Sequence, residues 1–241
     1  MRYRLDLQYD GTSYHGWQIQ PNAPSVEAEI ENALSTLLRE PIDAVGCGRT
    51  DTGVHASFFT AHFDTHQEID TQQLSYKLRQ FLPDSIGIIQ TSRVSDDFHA
   101  RFSAVSRSYV YRIQYRNNPF YRHFAHQISG DLNLELMNKS CLDLLGEHEF
   151  FAFCKGVPSG NHYRCTVLRA EWISTNKGIE FHISANRFLR NMVRAIVGTQ
   201  LEIGRGRLDL DTHKKMIQGG NRSDAGMSVP AKGLTLCEVN Y

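Results

Sequence analysis

Asp51 lies in the run Gly48-Arg49-Thr50-Asp51-Thr52-Gly53-Val54-His55-Ala56, two residues after an arginine and four before a histidine. Three uses are open to a carboxylate so placed. Asp and Thr before Gly commonly make a turn, for steric and hydrogen-bonding reasons. Asp-Thr-Gly is also half of an aspartic-protease dyad, in which two carboxylates share a proton. The third use is a lone catalytic carboxylate held ionised by Arg49, since a nearby cation lowers an acid's pKa. The protease is the weakest of these. It wants an apolar run before the acid, where Gly48-Arg49-Thr50 stands instead. The chain has no second Asp-Ser/Thr-Gly, so a dimer would have to supply the other half.

Two other tracts combine arginines with apolar rings. From Ala100 to His123 there are five arginines (Arg101, Arg107, Arg112, Arg116, Arg122) and no acid. From Phe181 to Leu201 there are three, Arg187, Arg190 and Arg194, again without an acid. In a strand, Tyr109, Tyr111 and Ile113 share one face. Tyrosines there either pack on a helix or form a platform for an unpaired base, while arginines meet phosphates. Arg187, Arg190 and Arg194 recur at i, i+3, i+7 in a segment read as helical, so they line one face. Such a row is a solvated surface, a phosphate track, or a partner for a carboxylate across a cleft. Spacing alone does not choose.

The elements that must position these residues follow from periodicity. Residues 2–9 alternate, with Tyr3, Leu5, Leu7 and Tyr9 on one face, and read as a strand. Ser25 caps a helix reaching Arg39, with Glu27 and Glu29 in its first turn. Strands are expected over 42–47 and 57–63, a helix over 70–82 stopped by Pro83, and a strand over 86–94. The order is β-α-β-β-α-β. It repeats with a strand over 109–115, a helix over 133–145 and a hairpin of 167–174 with 179–185. A helix over 186–203 and a strand over 234–239 complete it, with a short added helix over 211–218. This is α+β organisation, the ferredoxin-like pattern twice. Mostly antiparallel sheets are expected, in half-domains over 1–104 and 105–241.

Composition narrows the classes. A chain of 241 residues with 41% hydrophobic content can bury a sizeable core. Its formal net charge of zero is unlike that of many nucleic-acid binders, but it averages over the two basic tracts. No apolar run approaches the ~20 residues of a membrane span, and no signal peptide is evident. Five scattered cysteines without a C-x-x-C pair point to reduced thiols and a cytoplasmic setting. His123 and His126 have no third ligand nearby. No metal and no cofactor is expected.

Taken together, these stretches resemble the tRNA pseudouridine synthase A (TruA) family. The matching residues are Tyr9-Asp10-Gly11, Tyr14, Gly16-Trp17-Gln18, Ser25-Val26, the Gly48–Ala56 loop, and Asp97-Phe98-His99-Ala100-Arg101-Phe102-Ser103-Ala104. Further along they are Tyr109-Val110-Tyr111, Phe188-Leu189-Arg190-Asn191-Met192-Val193-Arg194, Ile196-Val197-Gly198, Pro230-Ala231 and Gly233-Leu234. Thr52 departs from the family pattern, where alanine is common. The resemblance implies isomerisation of uridine to pseudouridine in the anticodon stem-loop of tRNA, at positions 38, 39 and 40. It implies Asp51 as the catalytic residue and Tyr109 as the ring that meets the target base. Arg49 would hold RNA or fill the space left by the flipped base, and Arg194 would pair with Asp51. Weaker RNA contacts fall to Arg101, Arg107, Arg187 and Arg190. A homodimer is implied too, with each active site in a cleft between the half-domains.

The chemistry agrees with that assignment. Breaking a ribosyl C–N bond builds positive character at C1′, which a carboxylate can stabilise, attack, or relieve by removing the C2′ proton. Two other functions remain open at this point: a non-catalytic RNA-binding protein using the same tyrosine and arginine surface, and the dimeric aspartic protease.

Overall fold

The computed structural model describes residues 1–157 and 162–241. In chain order the first elements are β1 (Arg2–Tyr9), α1 (Val26–Leu38), β2 (Ala44–Gly46), β3 (His55–Asp64), α2 (Thr71–Phe81) and β4 (Ile86–Arg93). Then come β5 (Ser106–Gln114), β6 (His126–Gln127), α3 (Leu134–Leu144), β7 (Gly146–Glu149), β8 (Arg164–Thr175) and β9 (Gly178–Ala185). The last are α4 (Met192–Gly204), α5 (Leu210–Ile217) and β10 (Leu234–Asn240). The class is α+β. The described residues form two compact units, Met1–Val105 with Thr235–Tyr241, and Ser106–Leu234.

The first unit is a β-α-β-β-α-β module. β1 pairs antiparallel with β3 on one side and β4 on the other. The ten residues of β3 leave room for two short partners, β2 antiparallel at Ala61–Phe63 and β10 parallel at His55 and Ala56. Tyr3, Leu5, Leu7 and Tyr9 are buried as their alternation requires, together with Phe59 and Phe63 of β3. α1 adds Val26, Ile30, Ala33, Leu34 and Leu38 to this core. Each fully buried Val, Ile, Leu or Phe side chain among them contributes about 1.5–3 kcal/mol. Ser25 caps α1 by accepting from the Ala28 N–H, and Asp70 caps α2 by accepting from Gln72 and Gln73. Asp6 is also fully buried. It is satisfied there by the Thr60 hydroxyl at 2.7 Å, Arg4 Nε at 2.8 Å and Gln90 Nε2 at 2.9 Å.

The second unit carries the sheet order β5-β9-β8-β7, antiparallel throughout, with β6 parallel to β5. β6 and β7 are too short to show a period in the sequence. α4 departs from expectation. It begins at Met192, six residues later than the apolar spacing suggested, because Asn191 adopts a left-handed conformation (φ 67°). The segment before it is tied down by other means. Asn186 Oδ1 accepts from the Thr166 N–H at 2.9 Å, and the Arg190 carbonyl accepts from the Lys155 N–H at 3.0 Å. Arg187 and Arg190 therefore lie on this lead-in, and only Arg194 stands on the helix. The single arginine face inferred from i, i+3, i+7 spacing is not formed.

Candidate active site

In the first unit, Asp51 opens a tight turn. Its carbonyl accepts from the Val54 N–H at 3.1 Å, across Thr52 and Gly53. Gly53 has φ 77°, which an L side chain rarely adopts, so the glycine is required. Turn chemistry and a chemical role are thus compatible here: the backbone makes the turn, and the half-buried carboxylate is a separate group.

The turn is fastened from outside. Thr50 Oγ1 accepts from the Trp17 N–H at 3.0 Å and shares a 2.9 Å hydrogen bond with the Tyr9 hydroxyl. The Gly53 N–H donates to the Tyr14 carbonyl at 3.2 Å. Two glycines bring the strand-to-helix connection directly onto the loop. A Cβ on Gly11 would fall 2.0 Å from the Val54 oxygen, and one on Gly16 (φ +93°) 2.1 Å from the Thr50 oxygen. Trp17 is itself fixed, stacked on Phe59 at 4.2 Å and donating from Nε1 to Glu27 at 3.1 Å. His55 is buried, and its Nδ1 accepts from the Gly11 N–H at 3.0 Å. It belongs to this scaffold. Arg49 is exposed on the entry to the loop. Arg101, also exposed, lies with its guanidinium 5.4 Å from the Phe102 ring centre.

In the second unit, Tyr109 is half-buried on β5 and meets Phe188 edge-on, with ring centres 5.1 Å apart and an interplanar angle of 89°. Tyr111, two residues along on the same face, is buried and donates from its hydroxyl to the Pro230 carbonyl at 2.8 Å. Burial drives its phenol pKa upward, and the charge of Arg194 opposes that rise, which puts Arg194 near this face. Arg194 donates from Nε to the Val229 carbonyl at 2.8 Å, and its own carbonyl accepts from the Val229 N–H at 3.2 Å. The fold so gathers Tyr109, Phe188, Arg194 and the segment ahead of β10. Arg107 donates to the Asn186 carbonyl at 3.0 Å, and Arg187 contacts the His162 ring at 2.6 Å. Arg190 is exposed.

Sequence reasoning overlooked three parts of this arrangement. Thr50 is the peg of the Asp51 turn. Glu27 looked like a helix-end charge, yet its second oxygen also accepts from the Ile19 N–H at 2.7 Å, strapping Trp17 and its neighbours. The segment 226–230 carries no periodic signal. No group of three or more His, Cys, Asp or Glu side chains among the described residues could hold a metal ion.

A family model described as tRNA pseudouridine synthase matches residues 7–103 and 141–241. Over its full length the chain is 44% identical to tRNA pseudouridine synthase A of Bacteroides fragilis, covering 96% of that protein. It is 38% identical over its full length to the protein of that name from Bacillus subtilis, covering 99%. For the one from Chlorobium phaeovibrioides the identity is 41%, over 99% of this chain and 98% of the relative.

Proposed function

The chain belongs to the tRNA pseudouridine synthase family, and from that premise we propose that Asp51 carries the isomerisation, on a uridine of the tRNA anticodon stem-loop. The enzyme is an isomerase of the tRNA pseudouridine synthase A type. This membership sets aside the protease and the non-catalytic RNA-binding readings. The reading assigns positions 38, 39 and 40 as targets, a homodimer as the working form and the cytoplasm as its place. No helix among the described residues is long and apolar enough to cross a membrane.

The observation that supports Asp51 most is the way its turn is held. Thr50, on the residue before it, is gripped by Tyr9 and Trp17, so the carboxylate stands on a backbone already in place before RNA arrives. Preorganisation of this kind makes a charged group effective against charge that develops in a transition state. The reaction detaches N1 of the base from C1′, turns the base, and joins C5 to C1′. Positive character at C1′ is what the carboxylate answers, by through-space stabilisation, by addition to the sugar, or by removing the C2′ proton.

The other residues take supporting parts. Tyr109 offers a ring to the extruded base. Arg194 stands beside it as a charged partner for substrate or carboxylate. Arg49 holds RNA near the loop or occupies the gap left in the stem. Arg101, Arg107, Arg187 and Arg190 meet phosphates more weakly. Extruding a stacked base costs a few kcal/mol, which ring and phosphate contacts offset.

The test is incubation with unmodified tRNA followed by mapping of pseudouridine. Product at positions 38–40 with the wild-type enzyme, and none with Asp51→Asn despite retained tRNA binding, is the expected result. Product at a near-normal rate from Asp51→Asn removes Asp51 from the mechanism.

A further inference from the structure

Met227 is 90% exposed, yet the backbone around it is held on every side. Its carbonyl lies against α4, where a Cβ on Gly198 would fall 1.8 Å from that oxygen. The Gly226 N–H donates to Thr199 Oγ1 at 2.9 Å. Ser228 Oγ accepts from Asn191 Nδ2 at 2.6 Å and from Arg222 Nη2 at 3.0 Å. Val229 is bonded in both directions to Arg194, and the Pro230 carbonyl accepts from Tyr111. The backbone is thus fixed to the helix, while the thioether projects into solvent.

A single exposed apolar side chain is ordinary on a protein surface. Three further facts distinguish this one. Its backbone is held before anything binds, which removes part of the entropic cost of making a contact. It is two residues from the carbonyl that receives Arg194, on a segment bordering the β5 face that bears Tyr109. And residues 225–234 carry no acid and one lysine, Lys232, which suits a polyanionic ligand.

We propose that Met227 packs against a base of the tRNA substrate, adjoining the nucleotide met by Tyr109 and Arg194. An extruded nucleotide leaves its neighbours without a stacking partner, and apolar side chains, methionine among them, fill such steps. The inference rests on the tRNA reading above. It makes Met227 a substrate-binding residue, one that acts on binding and not on the bond changes.

The experiment measures tRNA affinity in the Asp51→Asn protein with and without Met227→Ala. Steady-state kinetics follow for Met227→Ala and Met227→Leu with Asp51 intact. Met227→Ala is expected to weaken binding and raise KM roughly five- to tenfold, with kcat within about twofold. Met227→Leu restores most of the loss, and melting temperatures stay level because the side chain lies in solvent. Equal affinity and equal KM for all three proteins overturns the inference. If the wild type binds tRNA but forms no pseudouridine, the isomerase reading fails, and the binding comparison still decides the contact.

Discussion

The two regions that carry the proposed functional residues are built on different plans. Around Asp51 nearly everything is local to one module: residues 9–17 grip residues 50–54 through backbone hydrogen bonds, one threonine and two glycines. Around Tyr109 the parts come from a strand, a helix start and a segment more than 100 residues downstream, joined through Val229 and Pro230. The difference teaches where each region is fragile. The first depends on close backbone approach between neighbouring loops of one module. The second depends on long-range docking, the close approach of Met227 to Gly198 included, that fixes side chains for binding.

The sharpest way to break the contrast is a matched pair of glycine substitutions. Gly16→Ala places a methyl 2.1 Å from the Thr50 oxygen on a residue at φ +93°. We expect a stability loss of about 3 kcal/mol or more and, in the protein that still folds, a fall chiefly in kcat. Gly198→Ala collides with the Met227 oxygen. It should destabilise comparably while raising KM for tRNA more than it lowers kcat. Thermal unfolding with steady-state kinetics checks both, and identical kinetic signatures would erase the distinction.

Smaller changes sharpen it. Thr50→Val keeps shape but removes the acceptor of the Trp17 N–H and the hydrogen bond shared with the Tyr9 hydroxyl, at a cost of about 1–3 kcal/mol. The rate should fall with it while tRNA affinity holds. Tyr109→Ala should lose about 1–3 kcal/mol of base stacking, and Tyr109→Phe should keep most of it. Equal activity in both would return the ring to a packing role.

A further effect concerns pH. Burial, then the charges of Arg2 and His99, pushes the His62 imidazole down from its ordinary 6.5 to about 4. The folded protein therefore binds fewer protons at this site than the unfolded chain. The stability it contributes is full above about pH 6.5 and is lost as pH falls toward 4. Denaturant midpoints across that window should decline less steeply for His62→Gln than for the wild type.

Much of this was legible in the sequence because the signals were local. Alternation in β1, the Ser25 and Asp70 caps and the Gly53 turn each follow from residues within one or two turns of chain. The start of α4 was not legible, because Asn191 in a left-handed conformation interrupts an apolar period that runs on regardless. Nor was the parallel pairing of β10 with β3, which spans some 180 residues and has no local mark. In the candidate site, the types and spacing of Arg49 and Asp51 drew attention to the loop. The contacts of Thr50, Glu27 and Met227 were not legible, since each depends on partners that only folding brings near.

The most direct measurement follows the hydrogen that the isomerisation must displace. When C5 of uridine becomes bonded to C1′, the hydrogen at C5 is exchanged. tRNA carrying tritium at C5 of its uridines should therefore release tritium to water with the wild-type enzyme. It should release none above background with Asp51→Asn at matched tRNA occupancy. Release at comparable rates from both proteins would contradict the account at its centre.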